Sequence, residues 1–317
     1  METIGNIWLW GGFTIVVIAA LLIDLVLMRH GGPHKVTFKE ALWWSIGWVG
    51  LALAFNAGLW WYLQQTAGEA LANRIGLEFL TGYLVEKSLA VDNIFVFLML
   101  MTYFAVPEQQ RQRVLVIGVL GAIVLRTVMI FAGVALLARF HWLLYVFGAF
   151  LLLTGIKMWF SAGKQADLEA NPALRFMRRY LRISPQYNGT ALTVVREHKR
   201  WFTPMFVVLV LIAVTDVIFA VDSIPAVFAI TTDPFVVLTS NVFAVLGLRA
   251  MFFLLAGMAD RFHLLPYGLA VVLVFIGLKM LAIDLFKLPV LVSLGAVVVI
   301  IGTTMLLSLI RPARQAR

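Results

Sequence analysis

Two short stretches carry the residues best suited to chemistry. "EKSLAVDN" (86–93) and "DVIFAVDS" (216–223) set Glu86, Asp92, Asp216 and Asp222 in otherwise apolar surroundings, with Asn93 and Ser223 following the second acid of each pair. On a regular helix, residues six apart lie about 9 Å apart along the axis and about 120° apart around it. Neither pair alone can chelate one ion, so two helices must contribute. A charged residue at the centre of a membrane helix costs about 2.5–3.5 kcal/mol on insertion scales and by default marks an ion or proton pathway. Pro225 adds a further signal. It has no N–H for the carbonyl of Val221, so the helix is expected to kink or open beside Asp222 and free a carbonyl oxygen for a hard cation. An ordinary membrane-helix kink is the plainer reading of the same proline.

All the donors offered are oxygens. They suit a hard or borderline divalent ion, with Mn²⁺, Mg²⁺ and Ca²⁺ all admissible. Zn²⁺ and Cu⁺ are disfavoured by zero cysteines and five histidines, of which His141 and His263 fall near span ends. Carboxylates also carry protons, and a bound cation expels them, so metal–proton exchange follows physically without a direction. Arg126 and Arg249 lie near the middle of their own spans and could form internal ion pairs, although the four acids outnumber them. Lys87 is either a counter-charge for Glu86 when the ion is absent or half of a structural pair.

The elements that must position these groups are membrane helices. The 317 residues are 62% hydrophobic and 13% charged, against about half and a quarter in soluble domains. Apolar runs exceed the roughly 18 residues needed to span a bilayer. Long runs without alternation point to an all-α polytopic membrane protein rather than a barrel. Nine spans are expected, at 8–28, 41–63, 78–104, 114–137, 143–160, 204–230, 236–258, 265–285 and 290–310. With the C-terminus inside, the inner loops hold 17 Lys and Arg and the outer loops only Arg74, Arg139 and Lys287. That bias sets the N-terminus outside and the C-terminus in the cytoplasm. It also accounts for the net charge of +9 without nucleic acid.

Self-similarity divides the chain further. "EKSLAVDN" pairs with "DVIFAVDS", "LRTVMIFAG" (125–133) with "LRAMFFLLAG" (248–257), the two "RFH" triplets with each other, and "GIKM" (155–158) with "GLKM" (277–280). Four matches in one order define two three-span repeats, 78–160 and 204–285, which an odd span number makes inverted. Transporter sites commonly lie near mid-membrane between such repeats. From the outer face, Glu86 falls level with Asp222 and Asp92 with Asp216, which predicts a two-level carboxylate ladder. A two-helix segment (1–77), a basic inner loop (161–203) and a final helix with a basic tail (286–317) complete the chain. In the loop, "NPALRFMRRYLRIS" aligns Leu174, Met177 and Leu181 on one face among arginines. It suits an interfacial helix on anionic lipid, or a solvated linker, and offers protein partners a docking surface. "LTVV" and "RWFT" could pair as a hairpin.

The quoted motifs, with "FVVLTSNVFAVLGLRAMFFLL" later on, resemble the TerC family, named for tellurium resistance, over nearly the whole chain. "WGGF" and "TGYLVEKSLAVDN" look most like its alkali-inducible, Alx-like branch. The resemblance implies an inner-membrane protein of the LysE transporter superfamily that exports manganese, particularly in alkaline medium. It maps the family's acidic site onto Asp92, Asp216 and Asp222, with Glu86 beside them. The family usually has a glutamate three residues before Asp216, where this chain has Ala213. A module delivering Mn²⁺ to exported proteins, or a broader divalent-cation or tellurite-resistance role, is the alternative. Membrane aspartyl proteolysis is disfavoured, because neither "YD" nor "GxGD" occurs. The chain is not expected to be an enzyme.

Overall fold

A computed structural model describes residues 3–30, 37–140, 142–161, 172–189, 191–196, 199–256, 264–285 and 288–310. The side chains of Leu25, 27–30, Asp92 and Arg196 lie outside the description. The elements are α1 (Ile7–His30), α2 (Phe38–Ala67), α3 (Glu69–Tyr103), α4 (Glu108–Arg139), α5 (Leu143–Ser161), α6 (Pro172–Tyr180), β1 (Thr193–Arg196), β2 (Lys199–Phe202), α7 (Pro204–Phe228), α8 (Pro234–Leu246), α9 (Leu248–Ala256), α10 (Leu265–Leu281) and α11 (Val290–Ile310). Among the described residues, six helices are long and apolar enough to cross a membrane: α1, α2, α4, α5, α7 and α11. The pair α8–α9, bent by 41°, makes a seventh candidate. All nine expected segments are helical, but α3 and α10 fall outside those criteria. The first carries Glu69, Arg74, Glu78, Glu86, Lys87 and Asp92 along its 35 residues. The second has only 17 residues.

Large apolar side chains cover the outside, as lipid requires. Val124 and Val128 of α4 and Leu153 of α5 are each more than 60% exposed. Exposed Trp8, Trp43, Trp61, Trp142 and Trp159 lie near helix ends, where indole rings suit the water–lipid boundary. Inside, α3 packs on α2, α7 and α8, while α4 packs on α7 and α8. The most extensive contact joins α5 to α10. Glycines make it possible. A Cβ on Gly155 would sit 2.8 Å from the Ala270 carbonyl oxygen, and one on Gly277 2.6 Å from the Leu152 nitrogen. Small residues let the two backbones meet, the usual means of helix association in lipid.

Helix boundaries follow local chemistry. Gly68, at φ +92°, closes α2 and opens α3 in a conformation that few other residues adopt. Asp233 caps α8 through the Phe235 and Val236 nitrogens and also accepts from the Ile4 nitrogen at 2.8 Å, pinning the N-terminal segment.

Three expectations change here. α7 is not opened beside Asp222, because Pro225 lies in its last turn and the helix ends at Phe228. The lost hydrogen bond at Val221 therefore disturbs only a helix end. The break sits instead at Gly247, between α8 and α9. Third, Leu174 and Met177 of α6 are buried within the protein, and α6 packs on α7. Its apolar stripe is thus covered by protein rather than left for lipid. The expected hairpin is present, with Thr193 opposite Phe202 and Arg196 opposite Lys199 in an antiparallel pair.

Candidate cation site

The centre of the molecule is organised by Arg126. It lies on the buried stripe of α4 that also carries Val119, Ala122 and Ile130, so its guanidinium enters the protein rather than lipid, and it is 1% exposed. One terminal nitrogen, Nη1, pairs with Glu86 of α3 and donates to the Asn241 Oδ1 of α8 at 3.3 Å. The other, Nη2, donates to Asp216 of α7 at 3.3 Å. With its amide turned to satisfy both ends, Asn93 accepts from Nη2 at 3.2 Å and donates to the Leu89 carbonyl at 3.2 Å. Four helices thus converge on one cation. The helical period explains the choice of side chains: Glu86 and Asn93 lie seven apart on one face of α3, and Asp216 and Ser223 seven apart on one face of α7.

The cluster is enclosed and incompletely satisfied. Glu86, Asn93, Asp216, Ser223 and Asn241 are all buried. Glu86 Oε2, Asp216 Oδ2, Ser223 Oγ, Asn241 Nδ2 and Arg126 Nε have no hydrogen-bond partner among the described residues. Buried polar atoms are normally paired, so these oxygens are free to accept a further donor, proton or cation. Charge points the same way, since two carboxylates and one guanidinium leave one negative charge uncompensated. Among the described residues no three Asp, Glu, His or Cys side chains converge as a metal-holding group.

The expected ladder is therefore regrouped. Glu86 meets Asp216, not Asp222, because Asp222 is turned to the far face of α7. There it is half-buried beside Thr154 and Lys157 of α5. Asp92, His141 and His263 fall outside the described groups. Arg249 does not join Arg126 but pairs with Asp24 of α1 at 2.5 Å. Lys87 points away from Glu86. It donates to the Ala244 carbonyl at 3.1 Å and lies over the Tyr83 ring, covering the C-terminal end of α8 at the Gly247 break. Ala213 is half-buried one turn before Asp216.

The sequence reading missed Asn241. Its signal was the run Thr239–Ser240–Asn241, three polar residues in the middle of an apolar span and each 0% exposed. Gly82 lets this run approach, since a Cβ there would sit 3.0 Å from Ser240 Oγ. Glu78 was also missed. It lines an open cavity of about 640 Å³ with Asn6, Tyr62, Thr66, Arg74 and Asp233.

Comparison with known proteins gives concordant results. The family model described as "Integral membrane protein TerC family" matches residues 71–316. The chain is 54% identical over 308 residues to the "Putative membrane-bound redox modulator Alx" of Escherichia coli K12, covering 97% of this chain and 96% of that one. It is 48% identical over 314 residues to an uncharacterized membrane protein of Myxococcus xanthus, covering 98% and 96%. A Rickettsia felis membrane protein is 37% identical over 302 residues, covering 95% and 97%. No solved structure matches.

Proposed function

Because the chain belongs to the TerC family of integral membrane proteins, we propose that it is a secondary transporter exporting Mn²⁺ across the inner membrane in exchange for protons. The observation that carries this reading is the meeting of Glu86 and Asp216 at a buried cluster with one negative charge uncompensated and oxygens left free. Each acid opens the corresponding motif of its repeat. In the proposed site Glu86, Asp216, Asn93 and Ser223 supply oxygens, together with Asp92. Asp222, beside Lys157, serves as a second station on the α5 side. Oxygen-only donors favour Mn²⁺, Mg²⁺ or Ca²⁺ over thiophilic ions.

The inverted-repeat reading draws support from reciprocal packing. α3 packs on α8 as α7 packs on α4, and α5 packs on α10, as an exchange of the two repeats requires. In this reading the chain crosses the membrane nine times, N-terminus outside and C-terminus cytoplasmic. The cavity beside Glu78 then opens outward.

The name of the Escherichia coli relative favours a second reading, a redox role. This chain has no cysteine, so thiol exchange within it is excluded. A redox effect would run through the metal supply, as would delivery of Mn²⁺ to exported proteins. Mn²⁺ flux in liposomes carrying only this protein, under imposed pH gradients, separates transport from delivery. Transport predicts uptake driven by the gradient and lost in Asp92→Asn and Asp222→Asn. No wild-type flux under either gradient would remove the transporter reading, and undiminished flux in the variants would remove those two residues from the path.

A further inference from the structure

An arginine is an unexpected group to find in the middle of a cation path. Arg126 is held closely by Glu86 and more loosely by its other partners. Its contacts to Asp216 and Asn241 are both 3.3 Å, against about 2.7–2.9 Å for charge-assisted hydrogen bonds. Nε has no partner, and Asp216 presents only one oxygen while the other stays free. A site built to bury a guanidinium would use its fork in paired fashion and fill its donors.

We propose that Arg126 is a resident cation that an arriving divalent ion must displace, and that it thereby sets the preference for divalent over monovalent ions. The inference rests on the transport reading of the same cluster. With Arg126 in place, the described side chains carry one net negative charge. A monovalent ion in its place would restore the same balance and gain nothing. A divalent ion compensates more of the carboxylate charge than either the guanidinium or a monovalent ion, which matters most at a buried site. A compact ion can also draw in Glu86 Oε2 and Asp216 Oδ2, which the planar guanidinium leaves unused. The amide oxygens of Asn93 and Asn241, which hold Arg126 by hydrogen bonds, are neutral ligands acceptable to either occupant. Return of the guanidinium then expels the ion, so tight holding and release are coupled through one side chain.

The test uses the full chain purified in detergent as wild type, Arg126→Gln and Arg126→Lys. Equilibrium binding of Mn²⁺, Mg²⁺ and Na⁺ is measured with the thermal midpoint, and wild-type Mn²⁺ flux is measured separately in liposomes. Arg126→Gln is expected to bind Mn²⁺ about tenfold more tightly than wild type, with a gain for Na⁺ of no more than about threefold. Its loss of stability should be reversed by Mn²⁺ and not by Na⁺. Arg126→Lys, which keeps the charge without the fork, should fall between the two. Should Arg126→Gln not fold even in Mn²⁺, Arg126→Lys decides alone. Mn²⁺ binding no tighter than wild type in a monodisperse variant overturns the inference. Tighter binding without wild-type flux upholds the inference and sinks the transport reading instead.

Discussion

Asp216 and Asp222 illustrate how far the amino-acid order alone can go. Both were legible as costly acids in an apolar helix, and their spacing put them on different faces. Only the structure shows which face meets Arg126. Asp216 is 2% exposed and bonded to it, whereas Asp222 looks toward Thr154 and Lys157. Asp216→Asn removes one buried partner of the guanidinium but leaves Glu86 paired with it, and should cost about 1.5–3 kcal/mol. Asp222→Asn, at a half-buried position, should cost no more than about 1 kcal/mol. Denaturant unfolding in detergent would check the difference, and equal losses would contradict the assigned faces. Ala213 was legible only through the family resemblance. Ala213→Glu would place an acid one turn from Asp216 and should tighten Mn²⁺ binding or alter turnover. No change in either would mean that this face does not look into the site.

Among the helices, long apolar runs marked where helices form, six or seven of them long and apolar enough to span, but the break lies between α8 and α9 rather than beside Pro225. Pro225 drew attention because a proline costs a helix a hydrogen bond, yet in a last turn that cost is small. Gly247 has no comparable signal in composition. Beside the bend Lys87 reaches the Ala244 carbonyl from another helix, a contact that no local pattern encodes. Close packing of α5 on α10 was partly legible, since "GIKM" and "GLKM" each contain one of the contact glycines. Gly155→Val would drive a side chain into the Ala270 carbonyl and the Val274 backbone, and should reduce stability by about 1–3 kcal/mol or more. Monodisperse yield and thermal midpoint would report it, and an unchanged midpoint would argue against the close approach.

The segment between α6 and α7 is tied to the helices by Tyr187, which donates to the Phe104 carbonyl at 2.8 Å. Burial pushes its phenol from 10.0 up to about 12. A folded-state value above the unfolded one means that this contribution is fully present below pH 10 and is lost as pH rises through about 12. Wild type should therefore lose stability across that window more steeply than Tyr187→Phe, and parallel curves would contradict the tether.

For the whole molecule, composition made the membrane class plain, with 62% hydrophobic and only 13% charged residues. The two matched motifs led to the central acids. What stayed hidden was the convergence of α3, α4, α7 and α8 on a single guanidinium, which depends on how separately legible helices cross. The account stands on Glu86 and Asp216 forming a passage for divalent ions at that crossing. The most direct measurement is Mn²⁺ uptake into liposomes carrying equal amounts of folded wild type or Asp216→Asn. The account predicts pH-gradient-driven uptake by wild type and uptake no greater than protein-free liposomes by the variant. Equal uptake by both proteins would contradict it.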